Sequence, residues 1–245
     1  MVLATDLDGT FLGGAAATRK ILYDWLRAQA PQTRLIFVTG RDPDFISALC
    51  ANGDVPAPEF VIGDVGTTIG RFTGGRVHPI AELEAPIAQI WRDHGTVVRE
   101  RLHGIPGLKL QSAPFRYRLS YEYDAGFDPD SLAVLQGLDV DVLVSHGCFV
   151  DILPKGISKG PSLLRLIAHL GLPAERVLVA GDTLNDLSMF QTGLHGAVVG
   201  GAEAELLAAT GGLNRALHCA EAGAGGIIEA IGAFNLHPNP PKVSL

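Results

Sequence analysis

The sequence contains only three cysteines in 245 residues, and these are widely separated at Cys50, Cys148 and Cys219. They form no CxxC pair, which argues against a cysteine-ligated zinc site. An odd number of isolated cysteines also argues against a disulfide framework. With 47% hydrophobic and 18% charged residues, a chain of this length has enough apolar side chains for a buried core.

The sequence also lacks an excess of basic residues and any long apolar run. Lys and Arg number 19 against 26 Asp and Glu, a net charge of −7. That balance argues against a binder of nucleic acid or of anionic membranes. No basic region precedes Val2, Leu3 and Ala4, and no run approaches the about 18 apolar residues of a membrane span. We therefore expect a cytoplasmic protein, a monomer or weak dimer, with no nucleic-acid or membrane partner.

Short apolar runs near both ends of the chain alternate with helical patterns. Val2 to Thr5, Leu35 to Val38, Phe60 to Ile62 and Val177 to Ala180 are typical of strands buried on both faces. Helical spacing between them predicts a parallel sheet covered on both sides. The fold class is therefore α/β, with a doubly wound, Rossmann-like core.

The middle of the chain has a different pattern. From about Arg76 to Val150 polar and apolar residues alternate, as in Arg116 to Tyr123. This pattern predicts half-buried antiparallel strands with one or two helices. We predict a core formed by residues 1–75 and 155–245, interrupted by an α+β insertion at residues 76–154.

Acidic residues follow two of the predicted strands. Asp6 and Asp8 lie in the run DLDGT, and Asp182 and Asp186 lie in GDTLND. Because open α/β sheets bind ligands at the carboxyl ends of their strands, these carboxylates are expected to share one crevice. Oxygen ligands without His or Cys suit Mg²⁺. Each run could instead be an ordinary acidic turn or helix cap.

Two further signals indicate phosphate binding. Thr39, Gly40 and Arg41 follow the second strand and supply a hydroxyl, a flexible amide and a guanidinium. Lys159 lies near the start of a predicted helix, where an anionic ligand would relieve its unfavourable position in the helix dipole. Taken singly, these residues could be a simple turn and a solvated lysine.

The order of the motifs, DLDGT, TGR, SKG and GDTLND, resembles the haloacid dehalogenase superfamily of phosphatases. The insertion between the second and third motifs is similar to that of the C2-capped branch. Asp64 to Ile69, Arg118 to Tyr121 and Val150 to Pro154 resemble stretches of the sucrose-phosphate phosphatase family. Arg118 stands where that family leads us to expect lysine, which keeps the charge but changes the geometry.

The resemblance implies a set of catalytic and metal-binding roles. Asp6 would be the nucleophile and form an aspartyl-phosphate. Asp8 would act as general acid and base, and would have to start protonated. Mg²⁺ would bind Asp6, the carbonyl of Asp8, Asp182 and, through water, Asp186.

The resemblance also implies substrate-binding roles. Thr39 and Lys159 would hold the phosphoryl oxygens beside Gly40 and Arg41, and Asn185 would orient Lys159 or the metal shell. In the insertion, a second group would read the sugar. Its members are Gln111, Arg118, Ser120, Tyr121 and His146.

The expected function is Mg²⁺-dependent hydrolysis of a sugar phosphate, sucrose 6-phosphate or a related glycosyl phosphate. The alternatives are a mannosyl-3-phosphoglycerate-type phosphatase, a hexose-phosphate phosphatase, and a phosphomannomutase-like phosphotransferase. A non-catalytic sugar-phosphate binder would lack Asp6 or Asp8, and this sequence has both.

Overall fold

The chain folds into two β-sheets with helices packed on them, and the computed structural model describes residues 1–242. The strands are β1 (Val2–Thr5), β2 (Arg34–Val38), β3 (Phe60–Gly63), β4 (Thr68–Thr73), β5 (Arg76–Pro79), β6 (Leu108–Leu110), β7 (Leu119–Tyr123), β8 (Val140–Ser145), β9 (Phe149–Pro154), β10 (Val177–Gly181), β11 (His195–Gly200) and β12 (Ala216–Ala222). The helices are α1 (Ala16–Ala28), α2 (Pro43–Cys50), α3 (Ala81–Trp91), α4 (His94–Leu102), α5 (Lys159–Leu170), α6 (Leu187–Phe190), α7 (Ala204–Thr210) and α8 (Ala224–Ala233).

The larger sheet has eight strands in the spatial order β12-β11-β10-β1-β2-β3-β4-β5. The first six strands in this order are parallel, and β4 and β5 add an antiparallel hairpin at one edge. From β1 the chain moves outward through β2 and β3, and later from β10 through β11 and β12 on the other side. The boundary between β1 and β10 is therefore a topological switch point, where such sheets form a ligand crevice.

Helices cover both faces of the larger sheet. On one face Leu22 of α1 and Ile227 of α8 belong to a cluster of buried side chains. On the other face Leu83 of α3, Leu163 of α5 and Leu206 of α7 belong to a second cluster. These two layers explain why β1, β2 and β10 are apolar at nearly every position, and the predicted α/β class is confirmed.

The smaller sheet is antiparallel, with the order β6-β7-β9-β8. One of its faces packs on α4 and the end of α3 in a third cluster, which includes Trp91, Val98 and Ile152. All four of its strands lie inside the predicted insertion. Residues 76–79 also fall in that range, but as β5 they pair with β4 in the larger sheet.

Two helices end at residues that favour capping. The Asp42 side chain accepts a hydrogen bond from the N–H of Phe45, and Gly171 ends α5 in the left-handed conformation. The α1 helix begins after Ala15, which makes no side-chain cap hydrogen bond. None of the helices within residues 1–242 combines the length and apolar character that a bilayer-spanning helix requires.

A glycine lets the turn after β3 approach the start of α5. Gly66 has φ +103°, and a Cβ atom there would lie 2.4 Å from the carbonyl carbon and oxygen of Ser158. The Gly66 carbonyl accepts a hydrogen bond of 2.6 Å from the Ser162 hydroxyl. The close approach therefore needs glycine both for its conformation and for its size.

We expect Gly66→Ala to lower the free energy of unfolding by at least about 2 kcal/mol, because left-handed strain and a backbone clash add. Chemical denaturation of purified protein measures the change. Gly212→Ala is the matched control, since no atom lies within 4 Å of the added methyl group. Equal stability of the two variants would contradict this explanation of the turn.

Candidate active site

Three of the four carboxylates predicted to share a crevice, those of Asp6, Asp182 and Asp186, meet at the switch point. Asp6 follows β1, Asp182 follows β10, and these two strands pair directly. One carboxylate oxygen from each of Asp6, Asp182 and Asp186 lies within 4.8 Å of the others. The parallel sheet brings together residues more than 170 positions apart because it aligns the carboxyl ends of its strands.

The Lys159 ammonium group lies among these side chains. Its side chain is fully buried, and its Nζ atom donates to Asp6 Oδ1 at 2.7 Å, Asn185 Oδ1 at 2.6 Å and Asp186 Oδ1 at 2.5 Å. All three ammonium protons therefore have acceptors. Burial lowers the pKa of Lys159, but the carboxylates of Asp186 and Asp6 outweigh burial and the pKa is raised.

Asp186 is held on both of its oxygens. While Oδ1 accepts from Lys159, Oδ2 accepts from the backbone N–H groups of Asp182 at 3.0 Å and Thr183 at 3.1 Å. The Thr183 side chain completes a reciprocal capping box around this turn. Asp186 thus fixes the backbone that carries Asp182, in addition to fixing Lys159.

Asp182 points towards the turn after β1. Its Oδ1 accepts a hydrogen bond of 2.5 Å from the Thr10 hydroxyl. A Cβ atom at Gly9, where φ is +78°, would lie 2.1 Å from Asp182 Oδ2, so only glycine fits there. Burial raises the pKa of Asp182 to about 6, and nearby Asp186 adds to the shift while Thr10 opposes it.

The site carries more negative than positive charge. Burial raises the pKa of Asp6 well above its usual value, Asp186 and Asp182 raise it further, and Lys159 opposes the shift. Three carboxylates surround one ammonium group, so a cation would relieve both the repulsion and the desolvation. An all-oxygen donor set fits a hard divalent cation such as Mg²⁺.

Asp8 lies outside the carboxylate cluster and pairs with Arg41. The guanidinium donates from Nε to Oδ2 at 2.8 Å and from Nη2 to Oδ1 at 3.0 Å, and both side chains are about half exposed. Such a two-point contact matches the planar guanidinium to the carboxylate, and the sequence gives no reason to pair these two segments. That Asp8 starts protonated stays a prediction.

The predicted phosphate loop follows β2 as expected. Thr39 is fully buried, and its hydroxyl accepts a hydrogen bond of 3.2 Å from the N–H of Arg41. Gly40 and Arg41 line the cleft above the carboxylates, whereas Thr39 is not among its lining residues.

The cleft between the two sheets has a volume of about 430 Å³. The predicted site residues that line it are Asp6, Asp8, Gly40, Arg41, Gln111, Arg118, Ser120, His146 and Asn185. Residues that line it without having been predicted include Val65, Ser145, Phe149 and Asp151. A larger cavity of about 600 Å³ lies near the beginning of β2, beside Leu26 and Val55, and contains none of the predicted site residues.

Two of the residues predicted to bind the sugar need correction, and Tyr121 is the first. It is buried in the third cluster with Leu119, Val150 and Ile152. Successive side chains of a strand alternate between faces, so Tyr121 lies on the face of β7 opposite Ser120, which lines the cleft. Tyr121 therefore supports the insertion and does not contact the cleft.

Arg118 lines the cleft, but its donors already have protein partners. Nε donates to Asp64 Oδ1 at 3.3 Å, and Nη2 donates to the same oxygen at 3.2 Å and to the Gly40 carbonyl at 2.9 Å. Nη1 donates to Asp151 Oδ1 at 3.0 Å and to the Ser120 hydroxyl. Five N–H groups make five hydrogen bonds, and a guanidinium has no more. The predicted contact from Arg118 to a sugar hydroxyl is therefore not available in this arrangement.

One motif of a different enzyme class also occurs here. Residues 156–160 read Gly-Ile-Ser-Lys-Gly, which fits the GxSxG pattern of serine hydrolases. Ser158, however, has extended backbone angles, without the strained turn of a nucleophile elbow. Within residues 1–242 no histidine is hydrogen-bonded to its hydroxyl, so the nucleophile and base of a serine hydrolase are not assembled.

Comparison with known proteins points to one family. The sequence model of sucrose-6F-phosphate phosphohydrolase matches residues 1–235. Glucosylglycerol-phosphate synthase of Pseudomonas anguilliseptica is 40% identical over 238 residues, which are 96% of this chain and 31% of that protein. Mannosylfructose-phosphate phosphatase of Agrobacterium fabrum is 31% identical over 252 residues, 97% of this chain and 98% of that protein. The chain thus spans about a third of the first relative and nearly all of the second.

Among solved structures, the sucrose-phosphatase of Synechocystis sp. PCC6803, in complex with sucrose and phosphate, has a TM-score of 0.86. It is 26% identical to this chain, and the match covers 96% of this chain and 98% of that one. The similarity therefore extends over both sheets.

We expect Asp182→Asn to raise the melting temperature at pH 7.5, without divalent cations, by about 3 °C or more. The folded state raises the pKa of Asp182 to about 6 from 3.8, so above that pH the ionised carboxylate costs stability. Asparagine keeps the acceptor for Thr10 but removes the charge. Calorimetry in EDTA measures the effect.

The gain should shrink at pH 4.5, where the folded protein already holds the proton on Asp182. Asp54→Asn, at an exposed carboxylate, is the control. A gain of the same size at both pH values would mean that the charge of Asp182 is not the cause.

Proposed function

The chain belongs to the sucrose-6F-phosphate phosphohydrolase family, as its resemblance to the haloacid dehalogenase phosphatases predicted, and on that premise we propose that it hydrolyses a phosphate monoester of a glycosylated sugar or polyol. The observation that carries the proposal is the buried Lys159 ammonium between Asp6 and Asp186 at the switch point of the larger sheet. A lysine and a carboxylate nucleophile in one crevice suit a phosphate dianion, since they supply both the attacking group and a compensating charge.

Asp6 is the nucleophile in this proposal. One of its oxygens attacks phosphorus in line, the bond from phosphorus to the leaving oxygen breaks, and an aspartyl-phosphate forms. A water molecule then attacks that phosphorus and releases orthophosphate, which restores the Asp6 carboxylate. The contact with Lys159 orients the Asp6 carboxylate before the attack.

Asp8 serves as the acid and base, and Arg41 controls when it is available. A phosphate dianion competes with Asp8 for the guanidinium, because Arg41 can bind either group through two hydrogen bonds. Once released, Asp8 takes up a proton from solvent, gives it to the leaving oxygen and later takes one from the attacking water. Arg41 thus exchanges the Asp8 carboxylate for the phosphate dianion, so its guanidinium stays paired with an anion.

Lys159 and the loop of Thr39, Gly40 and Arg41 bind the phosphoryl oxygens, and Lys159 gives up one of its three present acceptors to do so, while Asn185 orients it. Asp6, the Asp8 carbonyl and Asp182 would hold Mg²⁺, with Asp186 acting through water. When bound, Mg²⁺ supplies positive charge that polarises the phosphoryl group. The insertion, residues 76–154, covers the cleft and excludes water.

The substrate class follows from what the relatives' names share. Glucosylglycerol phosphate, mannosylfructose phosphate and sucrose phosphate are phosphate esters in which a hexose is linked to a polyol or a ketose. A cleft of about 430 Å³ lined by side chains from both sheets suits a leaving group of that size. A compound of this class is therefore the proposed substrate, ahead of simple hexose phosphates.

We expect EDTA to abolish turnover and Mg²⁺ to restore it, because the uncompensated carboxylates oppose a phosphate dianion. Release of orthophosphate from sucrose 6-phosphate, mannosylfructose phosphate, glucosylglycerol phosphate and glucose 6-phosphate measures both turnover and preference. The glycosylated substrates should exceed glucose 6-phosphate by about tenfold or more in kcat/KM. Full activity in metal-free protein would refute the metal requirement, and transfer to sugar without orthophosphate release would indicate a phosphomutase.

Asp6→Asn should lose nearly all activity while keeping the fold, since the amide is almost isosteric but cannot act as the nucleophile. Acid quench of the wild type during turnover should trap a phosphoryl group on Asp6. Asp24→Asn, an exposed carboxylate on α1, is the matched control and should keep full activity. If Asp6→Asn kept more than about a hundredth of the wild-type rate, a difference of roughly 2.7 kcal/mol, direct attack by water would be the better mechanism.

A further inference from the structure

A single arginine connects the smaller sheet to the phosphate loop. Arg118 lies just before β7 and its side chain is 8% exposed. On the side of the smaller sheet it contacts Ser120 and Asp151, and on the side of the larger sheet it contacts Asp64 and the Gly40 carbonyl. No other charged side chain within residues 1–242 forms ion pairs with both sheets at once.

The contact on the larger sheet is a strained turn after β3. Asp64 and Val65 have φ values of +53° and +56°, a left-handed conformation that is costly for any residue with a side chain and most for a β-branched one. The Asp64 carboxylate is held from one side by the Thr68 hydroxyl at 2.7 Å and from the other by Arg118. Strained turns persist where their surroundings fix them.

The turn after β3 is hydrogen-bonded to the phosphate loop. The N–H of Asp64 donates to the Arg41 carbonyl at 3.0 Å, and the N–H of Val65 donates to the Thr39 carbonyl at 3.1 Å. Arg118 also binds the Gly40 carbonyl directly. Every carbonyl of the loop from Thr39 to Arg41 is therefore bound by the turn or by Arg118.

The contact between the two sheets depends on the positive charge of Arg118. The Asp64 and Asp151 side chains are 12% and 8% exposed, and one guanidinium lies between them. Removing it would leave two nearly buried carboxylates facing each other without a cation, which is far more costly than losing a surface pair. We expect the two sheets to separate at this point when Arg118 is absent.

We propose that Arg118 is a positioning residue, which seats the smaller sheet on the larger one and, through Asp64, holds the loop of Thr39, Gly40 and Arg41 in the geometry that binds phosphate. It therefore acts on the phosphate end of the substrate and not on the sugar. The inference rests on the proposed function only in taking this loop to bind phosphate.

The test compares Arg118→Ala, Arg118→Lys, Asp64→Asn and the double variant Arg118→Ala/Asp64→Asn with the wild type. Arg101→Ala is the matched control, because Arg101 lies in the same insertion but bonds only to carbonyls of residues 134 and 136. The readouts are kcat/KM for sucrose 6-phosphate and for p-nitrophenyl phosphate, the inhibition constant of orthophosphate, and hydrogen exchange at residues 39–42 and 64–68.

We expect Arg118→Ala to lower kcat/KM about tenfold to a hundredfold on both substrates, since small misplacements of binding groups cost that much, and to weaken orthophosphate inhibition. Exchange at residues 39–42 should speed up. Arg118→Lys should restore part of the loss, because an ammonium keeps the charge but cannot reach both sheets. The double variant should be little worse than Arg118→Ala alone, as for two residues that act as a unit.

A loss confined to sucrose 6-phosphate, with p-nitrophenyl phosphate and orthophosphate unaffected, would overturn the proposal and assign Arg118 to the sugar. Unchanged exchange at residues 39–42 would also overturn it. If Arg118→Ala does not fold, Asp64→Asn answers the same questions with a nearly isosteric change. Absence of turnover in the wild type would refute the proposed function alone, since hydrogen exchange still reports on the loop.

Discussion

The Lys159 ammonium group, which has no exposed surface, lies between the oxygens of Asp6, Asn185 and Asp186. A buried ammonium is stable only while its acceptors stay in place. Asp186 in turn holds the backbone that carries Asp182. The geometry of the proposed nucleophile Asp6, of the candidate metal ligands and of the first turn of α5 therefore depends on one cation. Displacing it would leave buried carboxylates without compensation.

The buried carboxylates that the proposed function needs also lower the stability of the folded protein. Burial raises the pKa values of Asp6 and Asp182, so the ionised forms that the proposed mechanism needs for metal binding and attack cost the folded protein free energy. Gly9 and Gly66 allow the backbone to approach Asp182 and Ser158 more closely than any other residue could. Sites that bind cations and anions commonly carry such costs, which the ligands remove when they bind.

How far the sequence predicts this site depends on the kind of sheet. In the larger sheet, parallel strands align their ends, so Asp6, Thr39 and Asp182 could be placed together from strand order alone. In the smaller sheet, a residue reaches the cleft only if it lies on the correct face of its strand. The sequence alone does not show which of Ser120 and Tyr121 lies on that face, because this depends on the pairing with the partner strands. The contacts of Arg41 with Asp8 and of Arg118 with Asp64 join distant segments, so no local pattern indicates them. The pairing of β5 with β4 was missed because a short, exposed edge strand has little apolar character.

In the proposed function, the two sheets contribute to substrate recognition in different ways. The larger sheet would supply the phosphate chemistry from strand ends that the fold itself fixes. The smaller sheet presents alternate side chains to the cleft while the others form its own core. A cleft-facing residue can therefore change without disturbing that core. Because Arg118, Ser120 and Asp151 bind one another, the other polar side chains of this sheet that line the cleft are those of Gln111, Ser145 and His146. Of these, His146 Nδ1 lies 3.6 Å from Glu203 Oε1. The Ser145 hydroxyl is buried and has no partner among residues 1–242. If the proposed function holds, discrimination between related glycosyl phosphates would therefore fall on a few positions around β6 and the turn after β8.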